Sequence, residues 1–239
     1  MVPIGSSTDW STFRTNLAPG VTSGACGGGS VPTLIQTAAP AWDAANTTHS
    51  VTLPSAPTIG NVVIFMTIGR ASSENVQTIT GCGATWVNIA AYAGTNARPE
   101  IWAGVCTTTG ATITVTESLS MMRTSMAMEW SNLTGALDAA GAGSHATTFT
   151  NTTSNVTTTR ATTVIFVADG LDKVATGPSS PTNSFVDAGT DGNGPGGATG
   201  YQSGSFAYRI MATTITVGTT LTLSGTGSPN HNSIIASVY

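Results

Sequence analysis

Carboxylates are the side chains of this sequence that could most directly support hydrolysis. Glycoside hydrolysis needs two Asp or Glu residues facing each other across a cleft, and the chain has only 11 acidic residues in 239 positions. Glu100 and Trp102 alternate on one predicted strand and share a face, so an exposed pair could contact a sugar. Glu129 lies on the face opposite Trp130. Both glutamates are more typical of solvated strand positions than of a catalytic pair.

Histidine and serine give no stronger indication of catalysis. The sequence lacks a G-x-S-x-G motif, and His49, His145 and His231 each lie among Thr, Asn and Ser residues without a distinctive partner. We interpret the three histidines as surface or turn residues. The sequence therefore predicts that the protein is not an enzyme.

A glycine-rich stretch, "DAGTDGNGPGGATG" at 187–200, could bind calcium through the oxygens of Asp187, Asp191 and Asn193. Its spacing lacks the alternating acidic positions and the closing glutamate of an EF-hand. A surface loop without a metal is the favoured interpretation, and we predict no cofactor. Loops at the end of a β-domain are also where a receptor or glycan would bind.

The stretch "MMRTSMAMEW" at 121–130 carries four methionines, which could bind Cu(I) or form an adaptable recognition surface. Alternation in a strand places Met122, Thr124, Met126, Met128 and Trp130 on one face. The other face is mixed and mostly polar. This pattern predicts a half-buried strand rather than a metal site.

Composition excludes several classes of function. Charged residues make up 8% of the chain, against about 25% in a typical protein, and the net charge is −4. Without a cluster of Lys and Arg, nucleic-acid binding is not expected. The apolar run "VVIFMTI" at 62–68 is too short to span a bilayer, and no secretory signal is recognisable, so we expect assembly in a cytoplasm.

Three cysteines cannot all pair within one chain. Cys82 and Cys106 both lie in the first β-rich half, whereas Cys26 lies in the stretch "GACGGGS". A Cys82–Cys106 bridge stays open as an alternative, although cytoplasmic proteins usually keep their thiols reduced.

Residues 1–40 differ from the rest of the chain and are predicted to form an N-terminal arm. Trp10, Phe13 and Leu17 are spaced as on one side of a short amphipathic helix, and a Gly/Ser/Pro-rich connector follows. The helix could fold back onto its own domain, or its aromatic residues could dock on a neighbouring subunit. We treat Trp10, Phe13 and Leu17 as candidate interface residues.

Residues 41–239 are predicted to form a single all-β domain, an antiparallel β-sandwich of jelly-roll type. Short strands separated by Gly, Pro, Asn and Ser fall into two similar halves, 47–130 and 152–239. For example, "NVVIFMTI" at 61 corresponds to "TTVIFVAD" at 162, and further pairs recur at offsets of about 99 to 108 residues. Each half would have one apolar face, and two such faces pack together most simply as a sandwich.

The segments "VTLPSAPTIGNVVIFMTIGR", "ITGCGATWVNIA", "RPEIWAGV" and "MAMEWSNLTGALD" resemble a pattern in phage virion proteins and bacterial surface proteins. That pattern places Pro and Gly before a core strand, continues with G-x-T-W, and ends in E-W-x-x-L-x-G-x-x-D. The resemblance covers about residues 33–239, with a weaker second half, and its motifs are structural. It implies a non-enzymatic head-decoration, head-fibre or tail-fibre component.

The leading functional prediction is therefore a structural virion protein of a tailed phage, attached through its N-terminal arm. Expected partners are further copies of the chain, as a homo-oligomer such as a trimer, and the major capsid or other virion proteins. The alternative is a carbohydrate-binding adhesive module that contacts host glycans through Trp102, Tyr92 or Tyr201. A hydrolase is the least favoured reading.

Overall fold

The computed structural model describes residues 30–70, 76, 78–92, 96–172, 175–176, 180–191, 203–225 and 229–239. Within these ranges all regular secondary structure is β-strand. The strands in chain order are β1 (Thr33–Thr52), β2 (Val62–Gly69), β3 (Thr78–Thr80), β4 (Val87–Ala91), β5 (Arg98–Val105), β6 (Thr112–Ser131), β7 (Leu137–Ala140), β8 (Ser144–Ala146), β9 (Thr150–Thr152), β10 (Val156–Thr157), β11 (Thr163–Leu171), β12 (Ala175–Thr176), β13 (Val186–Asp191), β14 (Ser203–Met211), β15 (Thr216–Val217), β16 (Thr220–Thr222), β17 (Ser224–Gly225) and β18 (His231–Val238).

Two antiparallel six-stranded sheets form a β-sandwich, as predicted. The first sheet has the order β1-β6-β2-β5-β4, with β3 beside β6, and the second has the order β13-β14-β11-β18-β7, with β8 beside β18. Each sheet is built from one half of the chain. The all-β sandwich is thus confirmed, and the jelly-roll type stays a prediction.

The internal repeat is visible in the strand order of the two sheets. Strands β6, β2, β5 and β4 of the first sheet correspond to β18, β11, β14 and β13 of the second. Val62 lies between Val105 and Trp130, Val164 lies between Ile210 and Val238, and both face the core between the sheets, so they correspond. The alignment of "NVVIFMTI" at 61 with "TTVIFVAD" at 162 is one residue out of step with this, because it pairs Phe65, on the opposite face, with Phe166, on the inner face. The two halves therefore share a sheet topology as well as a sequence pattern.

The core between the sheets contains the alternate apolar residues of the central strands. Trp130 is fully buried in this core, with its ring edge-on to Phe166 at 5.6 Å and to Tyr208 at 5.2 Å between centroids. Edge-to-face contacts of this kind add to the hydrophobic gain of burying large rings. A single indole thus joins the first sheet to two strands of the second.

A further layer covers the outer face of each sheet. Strands β1 and β6 are 20 residues long and paired throughout, with bulges, and their distal parts lie over the first sheet with β3. Ile113 and Val115 of that layer pack against Val63 and Phe65. On the second sheet, the apolar residues that cover Ile165, Val167 and Ala207 include Val156, Val217 and Leu221.

This outer layer explains two differences from the sequence predictions. The methionine strand is buried on both faces, because Arg123, Ala127 and Glu129 are buried on the outer face of the sheet while Met126 and Met128 face the inner core. The half-buried expectation was therefore wrong. In addition, β1 begins at Thr33, so residues 33–40, assigned from sequence to the arm, belong to the first sheet.

Candidate functional site

Several predicted site residues lie outside the described part of the chain: Trp10, Phe13, Leu17, Asn193 and Tyr201. Of the other calcium candidates, Asp187 accepts a local hydrogen bond at Oδ1 from the N–H of Gly189 (3.0 Å). Asp191 ends β13, opposite Gly204. Among the described residues, no three His, Cys, Asp or Glu side chains are grouped to hold a metal ion.

Trp102 and Tyr92, the two described candidates for glycan contact, are not brought together. Trp102 is half-buried with the outer cluster of the first sheet. Tyr92 packs against the core between the sheets, and a Cβ placed on Gly143 would collide with its ring. The two rings therefore belong to different surfaces, and their glycan role stays a prediction.

Glu100 is buried, which corrects the solvated position expected for it. Its carboxylate accepts hydrogen bonds from the indole N–H of Trp102 (3.1 Å), the N–H of Val76 (3.1 Å) and Nδ2 of Asn88 (3.2 Å). Burial raises the pKa of this carboxyl group. Because Glu100 and Trp102 bind each other inside the outer layer, they do not form an exposed sugar-binding pair.

Glu129 is also buried, and the solvated expectation was wrong here too. It accepts hydrogen bonds from Nε2 of Gln36 (2.5 Å), the N–H of Thr58 (2.8 Å) and Nδ2 of Asn61 (2.6 Å). Burial acts to raise the pKa of Glu129, but these donors outweigh it and the pKa is lowered. The carboxylate thereby ties the beginning of β1 and the turn before β2 to β6.

A buried ion cluster lies where the β1–β6 ribbon passes over the first sheet. Arg123 contacts Glu117 and donates to Oγ1 of Thr67 (2.9 Å), while Nε2 of His49 lies 3.7 Å from Glu117. Burial lowers the pKa of Arg123 to about 10, so the guanidinium is charged at neutral pH. Burial and the charge of Arg123 lower the pKa of His49.

A second buried pair joins two central strands of the second sheet. Nε2 of His231 lies 2.6 Å from Oδ2 of Asp169, and Nδ1 lies 3.0 Å from the carbonyl oxygen of Thr148. Burial acts to lower the pKa of His231, but the charge and hydrogen bond of Asp169 raise it overall, and burial raises the pKa of Asp169. Both directions favour one proton retained between the two side chains.

Two of the three histidines therefore contradict the surface prediction. His49 and His231 are buried, whereas His145 is exposed, as predicted. Asp169 was the available signal, since it interrupts the apolar strand "TTVIFVADGL" and a buried carboxylate needs a partner. Which partner it has depends on the pairing of β11 with β18, and sequence spacing does not reveal that.

Cys82 and Cys106 form a disulfide, which decides the alternative left open by the sequence and corrects the expectation of reduced thiols. The bridge joins the segment after β3 to the end of β5. Its two cysteines pack within the outer cluster of the first sheet.

The two ends of the sandwich differ in chemistry. At the end where β1 begins, large apolar side chains are exposed, and we call this surface the apolar end. It comprises Val31 (56% exposed), Ile35 (49%), Ile59 (62%), Val105 (39%), Val186 (49%) and Ile210 (40%). Among the described residues, the remaining exposed large apolar side chain is Leu119, in the part of β6 that precedes Arg123.

At the opposite end, β2 and β11 finish at Gly69 and Leu171, and polar side chains are joined by hydrogen bonds. Asp172 accepts from both the N–H and Nδ2 of Asn230 (2.7 Å each) and from Nδ2 of Asn96 (3.3 Å). We call this end of the sandwich, where Asn96 and Asn230 bind the buried Asp172, the polar end. The sandwich therefore presents one apolar and one polar end.

Neither family models, nor curated proteins, nor solved structures gave a match to this chain. Within the described ranges, no helix occurs that could cross a bilayer.

Proposed function

We propose that this protein is a structural component of a tailed-phage particle, a capsid decoration or a head- or tail-fibre protein. It is attached through its N-terminal arm and acts by protein–protein contacts with itself and with capsid or other virion proteins. The observation that carries this proposal is the apolar end, because the arm joins the domain there. Exposed apolar patches of this kind commonly mark protein-interaction surfaces.

The internal use of the ionisable groups supports a structural role. Glu100, Glu129, Arg123 and the Asp169–His231 pair each form hydrogen bonds within the domain. Groups held in this way stabilise a fold and are not presented to a substrate. The Cys82–Cys106 disulfide adds support, since disulfides persist outside reducing compartments and a released particle spends its life there.

Co-sedimentation with phage particles tests the attachment. Full-length protein should pellet with the particles, whereas Trp10→Ala/Phe13→Ala/Leu17→Ala should reduce the bound fraction at least tenfold, because aromatic anchors dominate such interfaces. The matched control is Ser6→Ala/Ser7→Ala/Thr8→Ala, which changes three polar residues of the same arm. Equal binding by both triple variants would contradict attachment through the arm.

A carbohydrate-binding module is the second candidate, favoured by the polar end. Asp191 and Ser203, which flank the stretch containing Tyr201, lie at this end, since Gly204 and Ser203 pair with Gly170 and Leu171. Binding on a glycan array that is lost in Tyr201→Ala and kept in Thr52→Ala, on the outer layer, would support it. An array without any bound glycan would remove this candidate.

A further inference from the structure

The exposed side chains of the apolar end include residues that belong to the inner faces of the sheets. Val105 pairs with Val62, and Ile210 pairs with Val164. Cross-strand partners project from the same face of a sheet, and Val62 and Val164 are fully buried in the inner core. Each row is therefore buried at the central strands and exposed at one strand, at Val105 of β5 in the first sheet and at Ile210 of β14 in the second.

Of these exposed positions, Ile210 and Val186 lie on β14 and β13, at the side of the sandwich where β13 contacts β1. Val186 pairs with Tyr208 and is the diagonal neighbour of Ile210 on that face. Tyr208 packs on Trp130, which pairs with Leu34 of β1. A ligand that covers Val186 and Ile210 would thus extend the aromatic core and remove apolar surface from water, at about 25 cal/mol per Å².

The arm is attached beside this surface. Nδ2 of Asn132 donates to the carbonyl oxygen of Val31 (3.1 Å), which fixes the chain just before β1 at the apolar end. A flexible Gly-rich connector over 18–30 would have an r.m.s. span of about 20 Å, and the predicted helix over 10–17 would be about 12 Å long. The tether therefore reaches the surface easily and holds residues 10–17 near it at millimolar effective concentration.

We propose that residues 10–17 fold back in the free protein and cover the apolar end of their own chain through Trp10, Phe13 and Leu17. The tether favours the same chain over a second copy, because a second copy would need to reach a comparable concentration in solution. This contact does not depend on the proposed virion function. On a particle, the same three side chains would exchange the intramolecular surface for one on a virion protein.

Hydrogen exchange of the isolated full-length chain tests the contact without any particle. We expect amides of residues 10–17 to exchange at least tenfold more slowly than in a peptide of residues 1–29. Val186→Asp and Ile210→Asp should abolish this protection, because a charge would be buried beneath the arm. Leu119→Asp is the matched control, since it adds the same charge at an exposed apolar position away from the apolar end, and it should keep the protection.

Varying the protein concentration distinguishes docking of the arm on its own chain from docking on a second copy. Protection that is unchanged over a hundredfold dilution supports docking on the same chain, whereas protection lost on dilution overturns it in favour of a second copy. Peptide-like exchange in the wild type, or protection retained in both Val186→Asp and Ile210→Asp, also overturns the proposal. Co-sedimentation addresses the virion function separately, so failure of one proposal leaves the other measurable.

Discussion

The two halves of the chain build the same sheet but hold its outer cover in different ways. The first half uses a disulfide, Cys82–Cys106, and a buried ion pair, Arg123–Glu117. The second half uses the Asp169–His231 pair and hydrogen bonds among polar side chains, such as Nδ2 of Asn151 to Oγ of Ser233 (3.2 Å). The halves therefore share a sheet topology and differ in the contacts that hold the outer layer to the sheet.

The difference follows from what each face must fit. The inner faces of the two sheets pack against each other around Trp130, so both halves need the same apolar alternation there. Each outer face packs only against the cover supplied by its own half, so its polar contacts are free to differ. The contacts that hold the outer layer should consequently respond to different perturbations in the two halves, and four predictions test this.

Removal of the guanidinium of the first half should have the largest effect. Arg123→Met leaves Glu117 buried without its cation, which costs about 3–5 kcal/mol in comparable buried pairs. We expect a loss of that size in the free energy of unfolding, measured by urea titration. Arg123→Met/Glu117→Gln is the control, and it should recover most of the stability because no charge is left unpaired. A loss of less than about 1 kcal/mol in Arg123→Met would refute a stabilising role for the Arg123–Glu117 pair.

Loss of the disulfide should be next in size. Cys82 and Cys106 are 24 residues apart, and the chain-entropy model gives about 3 kcal/mol for a loop of that length. Cys82→Ala/Cys106→Ala should unfold at correspondingly lower urea, whereas Cys26→Ala should not change the midpoint. Hydrogen exchange should accelerate in β3 and β4 before β9 and β10, and equal acceleration in both halves would break the comparison.

The two buried histidines should give opposite dependences of stability on pH. The pKa of His231 is raised in the folded state, so its stabilisation is present below the unfolded pKa of about 6.5 and is lost as pH rises through the folded pKa. The pKa of His49 is lowered, so the unfolded state binds more protons and stability falls as pH decreases below about 6.5.

Urea midpoints between pH 5 and pH 9 measure both effects. Asp169→Asn should flatten the alkaline side, because it removes the charge that raises the pKa of His231. His49→Gln should flatten the acid side and leave the alkaline side unchanged. If both variants keep the wild-type profile, neither histidine is linked to folding.

Exposed threonine pairs should matter least. Thr52 and Thr112 share a hydrogen bond of 3.1 Å over the first sheet, and Thr152 and Thr220 share one of 2.9 Å over the second. Replacing either pair by valine should change the free energy of unfolding by no more than about 0.5 kcal/mol, since solvent competes for these hydroxyls. A loss above about 1 kcal/mol in one half would show that its cover depends on these surface pairs.

Sequence reasoning succeeded where a pattern repeats along the chain. The apolar runs in "NVVIFMTI" and "TTVIFVAD", bounded by turn residues, predicted the central strands β2 and β11, and their recurrence predicted the division into halves. It failed for Glu100, Glu129 and His231, because their burial depends on strands that are distant in sequence. The folded-over ribbon is such a case: local alternation indicates one apolar face and gives no sign that a second layer covers the other.

The apolar end could not be predicted from the sequence for the same reason. Val105 and Ile210 follow the apolar alternation of their strands, and only the packing of the two sheets shows that these two side chains are exposed while their partners Val62 and Val164 are buried. The arm residues were recognisable from their spacing and aromatic character, whereas the surface beside which the arm emerges was not.

The pairing of β1 with β6 also has a mechanical consequence. A pull on the N-terminal segment is transmitted at Thr33 along the axis of a strand that pairs with β6 from Thr33 to Thr52. Antiparallel hydrogen bonds lie perpendicular to the strands, so tension toward the polar end would load many of them together in shear rather than open them one by one. Because Arg123 and Glu117 join the ribbon to the first sheet where it folds over, we expect the domain to resist a pull on its first strand more strongly than a pull that peels the strand away.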